Sequence, residues 1–294
     1  MLSNRNCRIA LGTVQFGLPY GVANKAGQVA LEDAAGILNL AETSGLDTLD
    51  TAIAYGESEK RLGQVGVDQW QVISKLPAVP DNQIDVAAWV QESVMGSLER
   101  LKISKLSGLL LHRPEQLNGV HGKALYLAMN KLKEQGRVEK IGVSIYDPTE
   151  LISLIPHFKF DLVQSPFNVF DRRLLTSGWL KRLNSAGVEV HVRSIFLQGL
   201  LLMGKVNRPP AFARWQSLWS QWHCWLDESA MSPLAACLGF VMGQPEINRV
   251  VLGVDSETQL REIIDCVEKG FVRPPVTLSS EDKDLINPTR WGQL

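Results

Sequence analysis

The sequence has little cysteine and little histidine, with four of the first and five of the second among 294 residues. The cysteines form no Cys-x-x-Cys pair, and no histidine stands at zinc-ligand spacing from two of them, so a structural zinc site is not expected. A chain that uses so little cysteine is typical of a reducing compartment. We therefore expect a cytoplasmic protein without a bound metal.

The sequence also lacks an excess of charge and any long apolar run. Lys plus Arg number 30 and Asp plus Glu number 31, which argues against a basic nucleic-acid-binding surface. No segment approaches the roughly 18 apolar residues of a membrane helix, and the first residues contain no apolar signal core. We expect a small-molecule partner and neither nucleic acid nor membrane; the oligomeric state is not indicated.

Two familiar phosphate-binding loops are missing as well. The segment between Gly12 and Gly17 has the wrong spacing for a Gly-x-Gly-x-x-Gly fingerprint, and no Walker A loop is found. A doubly wound, open dinucleotide-binding sheet is therefore the less favoured architecture, although it stays an alternative.

What the sequence does contain is a regular alternation of short apolar runs and segments of helical period. This pattern predicts eight strand–helix pairs and hence a parallel sheet closed into a single (β/α)8 TIM barrel spanning residues 1–294. The predicted strands are 9–14, 47–52, 71–76, 106–111, 140–145, 162–165, 188–195 and 249–253. The predicted helices are 31–44, 57–65, 85–101, 123–135, 148–155, 172–186, 232–242 and 256–267.

Two segments fall outside the repeat. Residues 199–230 form an extended seventh βα loop, too long for an ordinary connection and therefore expected to carry function. A C-terminal tail begins at about residue 274. Within the long loop, Trp215, Trp219, Trp222 and Trp225 recur on one helical face. Packing against the barrel is the favoured interpretation, and a lid or dimer surface is the other.

Four polar residues stand at or just beyond the ends of apolar runs: Asp50, Tyr55, Lys75 and His112. Chemistry in a β/α barrel is carried at the C-terminal ends of its strands. A carboxylate, a phenol, an ammonium and an imidazole gathered there predict a proton-transfer site. Phe16 and Tyr20, which follow the first strand, are candidate pocket walls.

Several ordered segments resemble the aldo-keto reductase family. They are 45–63 with Asp50 and Tyr55, 73–75 with Lys75, 97–114 with His112, and the stretches 136–144 and 163–168. The resemblance runs from about residue 9 to residue 267. It implies a nicotinamide-dependent reductase of aldehydes or ketones on a TIM barrel. The opening segment 11–27 is similar to a bacterial branch linked to sugar and polysaccharide metabolism, which makes a sugar derivative a candidate substrate.

The chemistry suits these residue types. Reduction of a carbonyl needs a proton at oxygen, and Tyr55 can supply it as the general acid. Lys75 would lower the pKa of Tyr55 from its ordinary value near 10. Asp50 would hold Lys75 in place and keep it charged, and His112 would orient the carbonyl or assist the proton path.

The resemblance also implies a cofactor site. Ser144 and Gln164 would bind the nicotinamide carboxamide, and Arg193 stands where many members stack a tyrosine on the nicotinamide ring. Backbone amides of Ser194, Gln198, Gly199 and Leu201 would line a pyrophosphate channel. The remaining candidate cofactor residues are Thr13, Gly253, Gln259 and Glu262.

The family favours NADPH, and this is the expected cofactor. NADH is not excluded, because the basic residues that usually hold the 2′-phosphate are missing near Asp255 and Gln259. Two alternatives remain: a regulatory subunit of the same fold that binds cofactor without turnover, and a metal-dependent barrel hydrolase or isomerase. The four polar residues argue against the first, and the scarcity of histidine argues against the second.

Overall fold

A computed structural model describes residues 5–24, 27–267 and 272–293. Eight parallel strands form a closed barrel in chain order, and the last strand pairs with the first. The strands are β1 Ile9–Gly12, β2 Thr48–Asp50, β3 Gln71–Leu76, β4 Leu106–Leu111, β5 Val138–Ser144, β6 Leu162–Pro166, β7 Glu189–Arg193 and β8 Arg249–Gly253. This closure confirms the predicted TIM barrel and excludes the open sheet.

Helices cover the outside of the barrel. They are α1 Val14–Gly17, α2 Leu31–Thr43, α3 Ser58–Val65, α4 Val86–Leu101, α5 Gly122–Glu134, α6 Glu150–Leu154, α7 Arg173–Thr176, α8 Trp179–Ser185, α9 Gln216–Ser229, α10 Pro233–Met242, α11 Glu257–Val267 and α12 Lys283–Ile286. Short 3-10 helices lie at Arg5–Arg8, Pro114–Asn118, Leu200–Leu202, Lys205–Asn207, Pro210–Trp215 and Pro288–Gln293.

The longest helix shows why the sequence folds this way locally. The Asp85 carboxylate accepts a hydrogen bond from the Ala88 amide and so caps the first turn of α4. Lys102 ends the helix in a left-handed conformation. Apolar residues at helical spacing, such as Val90 and Val94, are fully buried against the barrel.

Several predicted boundaries are wrong, and positive φ angles account for two of them. The predicted helix 172–186 is two helices, because Gly178 takes φ 77° between α7 and α8. The predicted strand 188–195 ends at Arg193, because Ser194 takes φ 60°. The first strand ends at Gly12, since the chain enters α1 at Val14.

The barrel interior carries an apolar layer directly beneath the polar strand ends. Ile73, Leu110 and Leu162 form a buried cluster separate from the main core. Ile73 and Leu162 stand two residues before Lys75 and Gln164 on the same strand, and residues two apart share one face of a strand. The polar groups at the C-terminal ends of the strands therefore lie directly above a buried apolar layer.

The long seventh loop folds back on the barrel through α9. Trp219 and Trp222 are fully buried, Trp219 packs on the Phe170 ring at a centroid distance of 4.9 Å, and Trp225 stacks on Trp222. The packing interpretation of the tryptophan stripe is confirmed for its central members.

Candidate active site

A cavity of about 680 Å³ opens at the C-terminal ends of the strands. This volume lies within the usual range of small-molecule sites. Eleven of the sequence-predicted site residues line it: Thr13, Asp50, Tyr55, His112, Arg193, Ser194, Gln198, Gly199, Gly253, Gln259 and Glu262.

A buried ion pair lies at the base of this cavity. The Lys75 Nζ atom donates to Asp50 Oδ1 at 2.5 Å and to the Thr51 carbonyl at 2.8 Å. Only 1% of the Lys75 side chain and 5% of the Asp50 side chain is exposed. Burial lowers the pKa of Lys75, while the neighbouring Asp50 carboxylate opposes that shift. An ammonium has three donors, so one N–H of Lys75 is left for a further acceptor.

The Tyr55 ring lies over this ion pair. The Lys75 Nζ atom is 5.1 Å from the centroid of the Tyr55 ring. The His112 ring meets Tyr55 edge-on, with centroids 5.9 Å apart and planes at 79°. The four residues predicted from the strand ends thus converge at one place.

The electrostatics of Tyr55 differ from the expectation. Burial and the nearby Asp50 carboxylate raise the pKa of Tyr55 above its ordinary value, with Arg193 opposing the shift. The predicted lowering by Lys75 is not found, because burial of the phenol is the largest cause of the shift and acts in the opposite direction. The phenol is therefore protonated near neutral pH, as a proton donor must be.

His112 is neutral under the same conditions. Burial, together with the positive charges of Lys75 and Arg193, lowers its pKa to about 4. A neutral imidazole can accept or donate one hydrogen bond without competing for the negative charge of Asp50.

Gln164 and Ser144 lie behind the cavity wall. The Gln164 Nε2 atom donates to Asp50 Oδ2 at 2.6 Å, and the Ser144 hydroxyl donates to Gln164 Oε1 at 3.0 Å. Both side chains are buried. Asp50 is therefore held from two sides, by Lys75 at one oxygen and by Gln164 at the other.

Arg193 contacts a residue that the sequence reasoning missed. Its guanidinium lies 4.5 Å from the centroid of the Tyr146 ring, and Nη2 donates to the Ile145 carbonyl at 3.0 Å. Tyr146 lines the cavity. The signal available in the sequence was an aromatic residue just beyond the end of β5.

The turn after β7 has an unusual backbone. Ser194, Leu197 and Gln198 have φ angles of 60°, 50° and 53°, a region that residues other than glycine rarely adopt. Such strain is characteristic of functional loops. Gly199 continues the turn at φ 88°, and a Cβ atom there would lie 2.4 Å from the Ala23 side chain.

The backbone amides of this turn differ in whether they already donate a hydrogen bond. Gly199 and Leu201 both donate to the Phe196 carbonyl, so neither is the free donor that was predicted for a pyrophosphate. The Leu201 side chain is also fully buried in the core instead of lining the cavity. In the part of the chain that the structure describes, the amides of Ser194 and Gln198 donate to no protein acceptor.

The first loop crosses the cavity toward this turn. Gln198 Nε2 donates to the Tyr20 hydroxyl at 3.1 Å, and the Ala23 amide donates to the Gln198 carbonyl at 3.4 Å. Tyr20 lines the cavity as predicted, whereas Phe16 is fully buried and does not.

A comparison with known proteins places the chain. The model of the aldo/keto reductase family matches residues 8–273. The chain belongs to the aldo/keto reductase family. Its fold and its ordered motifs agree with that assignment, and the predicted resemblance is confirmed.

Two curated relatives match less than half of the chain. Two curated proteins named aldo-keto reductase, from Mycobacterium sp. strains KMS and JLS, are each 32% identical over 137 residues. The match covers 44% of this chain and 46% of each relative, so the chain spans about half the length of the curated relatives it matches.

Solved structures extend the likeness over most of the chain. An aldo-keto reductase structure from Bacillus halodurans, in its holo form, has a TM-score of 0.70 at 17% identity, covering 96% of this chain and 95% of that one. A protein from Pseudomonas aeruginosa described as an aldo-keto reductase has a TM-score of 0.66 at 22% identity, covering 88% and 89%. At these identities the likeness shows the shared fold.

Aldo/keto reductases are oxidoreductases that generally use NAD(P)H and act on small carbonyl compounds. The cavity is suited to such a dinucleotide. Gln15 lines the cavity, and its Oε1 atom is buried with no hydrogen-bond partner among the described residues. An unsatisfied polar atom on the wall of a cavity fits a polar ligand.

Other residues of the aldo/keto reductase cavity come from distant parts of the chain. Asn24 and Asp255 line it from the first and eighth loops, and Pro288 and Thr289 line it from the C-terminal tail. No motif indicated the tail residues, because their position depends on how the tail folds back.

The described residues contain neither a metal-ligand cluster nor a membrane-spanning helix. Within the ranges 5–24, 27–267 and 272–293, no three or more His, Cys, Asp or Glu side chains gather as metal ligands would. Over the same ranges, the helices are too short or too polar to cross a bilayer.

Proposed function

We propose that this protein reduces an aldehyde or ketone to an alcohol with NAD(P)H, and that Tyr55 is the proton donor. The observation that carries the proposal is the buried Asp50–Lys75 pair lying under the ring of Tyr55 at the cavity base. A cofactor-binding protein without turnover needs no such pair.

The hydride for the carbonyl carbon would come from a reduced dinucleotide bound in the cavity. The residues of the chain supply the proton at oxygen and hold the substrate. Tyr55, kept protonated by burial, donates its phenolic proton as negative charge develops on the substrate oxygen. The Lys75 ammonium, 5.1 Å from the ring centroid, stabilises the phenolate that results.

His112 and Arg193 complete the proposed site. The neutral His112 imidazole beside Tyr55 orients the carbonyl oxygen by a hydrogen bond. Arg193 provides positive charge at the same end of the cavity, and a cation there disfavours the oxidised, positively charged nicotinamide ring.

Ser144 and Gln164 have a modified role in this proposal. Gln164 bonds both Ser144 and Asp50, and so links Ser144 to the ion pair. We assign the carboxamide contact to these two residues, and a rearrangement of their hydrogen bonds would accompany binding.

The substrate class is a small polar carbonyl compound, with a sugar aldehyde or ketone as the first candidate. Tyr20 and Tyr146 give the cavity aromatic faces, which stack well on sugar rings. The similarity of the first loop to a bacterial branch linked to sugar metabolism supports the same choice.

The test combines binding with turnover. Quenching of tryptophan fluorescence by reduced dinucleotide measures affinity, and oxidation of that dinucleotide by a panel of aldehydes and ketones measures turnover. We expect Tyr55→Phe to bind the dinucleotide as the parent does while turnover falls by about 10²–10⁴-fold.

A matched control is Tyr126→Phe. Tyr126 lies on α5, where its hydroxyl bonds the Lys159 backbone, and it does not line the cavity, so turnover should persist. Unchanged turnover in Tyr55→Phe would remove the proposed acid. Tight binding with no turnover on any carbonyl would favour the regulatory alternative instead.

A further inference from the structure

The cavity has two chemically different ends. Tyr55, His112 and Arg193 lie at one end, beside the buried ion pair. Gly253, Asp255 and Glu262 line the other, at the end of β8 and along α11. A dinucleotide that presents its nicotinamide to Tyr55 therefore places its adenosine half toward β8 and α11.

The charges of the two ends are opposite. Among the described residues that line the cavity, Arg193 is the only lysine or arginine, and it belongs to the Tyr55 end. The far end carries the carboxyl groups of Asp255 and Glu262. Arg261 is exposed on α11 and does not line the cavity, and Arg290 is paired with Asp284.

Asp255 is held in position by its neighbours. Its backbone amide donates at 2.8 Å to the Oε1 atom of Gln259, a residue in the first turn of α11. Its Oδ1 atom accepts from Asn24 Nδ2 at 3.3 Å. The Asn24 side chain is itself fixed by two hydrogen bonds to the backbone of Gly27, at 2.9 and 2.8 Å. A carboxylate has about four acceptor positions, so Asp255 can still accept from a ligand.

We propose that the protein discriminates in favour of NADH, with Asp255 accepting from the adenosine ribose hydroxyls and repelling a 2′-phosphate. The inference rests on the proposed function, because it needs the nicotinamide to lie at Tyr55. A vicinal diol donates two hydrogen bonds to a carboxylate, and such charge-assisted bonds are strong. A phosphate in the same place carries up to two negative charges and meets no described cation of the cavity wall. This specificity runs opposite to the NADPH preference expected from the family.

The experiment measures dissociation constants for NADH and NADPH by tryptophan quenching, at one low salt concentration. For the unaltered protein we expect NADH to bind at least about tenfold more tightly. Asp255→Asn should weaken the binding of NADH and leave the binding of NADPH unweakened. The two dissociation constants should then agree within about threefold. Asp265→Asn is the matched control, because Asp265 is an exposed acid of the same helix outside the cavity; it should leave the ratio unchanged.

The outcomes separate this inference from the proposed function. Equal or tighter binding of NADPH by the unaltered protein would overturn the assignment of Asp255 and leave the carbonyl reductase intact. A ratio insensitive to Asp255→Asn would do the same. Failure of both dinucleotides to bind would overturn both proposals. If Asp255→Asn does not fold, as judged by its thermal transition, Asp255→Ser and the ratio in the unaltered protein still decide the question.

Discussion

Asp50 depends on partners that lie far from it along the chain. Lys75 and Gln164 each bond one of its oxygens, so its charge is compensated inside the barrel. Removing one member of a buried ion pair leaves the other charge without compensation, and this costs about 3–5 kcal/mol of unfolding free energy.

Lys75→Met should therefore destabilise the protein by about 3–5 kcal/mol. The double variant Asp50→Asn with Lys75→Met should recover much of that loss, because no unpaired charge remains, yet it should stay inactive. Urea denaturation, monitored by tryptophan fluorescence, measures the unfolding free energy of both variants. Equal stability of the single variant and the unaltered protein would show that the pair is not charged.

His112 gives the protein a pH-dependent stability. Its pKa of about 4 lies below the ordinary 6.5, so the unfolded chain takes up a proton before the folded protein does. This contribution is complete above about pH 6.5 and is lost as the pH falls toward about 4. The loss amounts to at most about 3 kcal/mol.

The measurement is urea denaturation between pH 7 and pH 4. His112→Asn should lose less stability than the unaltered protein over this window. Some pH dependence of stability should persist in this variant, because burial also lowers the pKa of His191. Identical slopes for the two proteins would contradict the role assigned to His112.

At the scale of elements, one buried carboxylate joins three of them. Glu59 on α3 accepts from Ser74 on β3 at 2.7 Å, from Ser97 on α4 at 2.6 Å and from Arg100 Nη2 on α4 at 2.7 Å. Ser74 precedes Lys75, so this network fixes the strand that carries the ammonium. Close approach of the helices requires Gly63, where a Cβ would lie 2.0 Å from the Arg100 carbonyl oxygen.

We expect Glu59→Gln to lower the unfolding free energy by about 2–3 kcal/mol, because charge-assisted hydrogen bonds to a buried group are lost. Glu57→Gln is the control. Glu57 belongs to an exposed pair with Lys60, and such a pair contributes about 0–1 kcal/mol. Chemical denaturation of both variants checks the prediction, and similar losses would contradict it.

At the scale of the whole molecule, the seventh loop and the tail close the cavity together. Trp291 packs edge-on against Phe212 with a centroid distance of 4.9 Å, and Arg214 pairs with Asp282 and Asp284. These contacts hold Pro288 and Thr289 at the cavity. The tail therefore completes the site, although it lies outside the repeat.

Trp291→Ala should release the tail without unfolding the barrel. Hydrogen exchange should accelerate in α12 and in Pro210–Trp215, while exchange in the strands stays unchanged, because local opening is independent of global unfolding. Arg214→Gln removes exposed ion pairs and the stacking of the guanidinium on Trp215, but it leaves the packing of Trp291 on Phe212, and it should change exchange much less. Uniform acceleration across the strands would show that the tail is part of the barrel core.

The sequence by itself determined the architecture and the central residues of the candidate site. Alternating apolar runs predicted eight βα units, and the closed barrel pairs every one of these parallel strands on both sides. Strand ends of a barrel gather at one face, so Asp50, Lys75 and His112 had to converge once the strands were known.

Only the tertiary structure decided the contacts between residues distant along the chain. Gln164 turned out to hold Asp50, Arg193 to stack on Tyr146, and Asn24 to reach Asp255. The predicted lowering of the Tyr55 pKa was wrong for the same reason. Desolvation and hydrogen-bond direction depend on how side chains pack in three dimensions, and neither periodicity nor motif spacing encodes them.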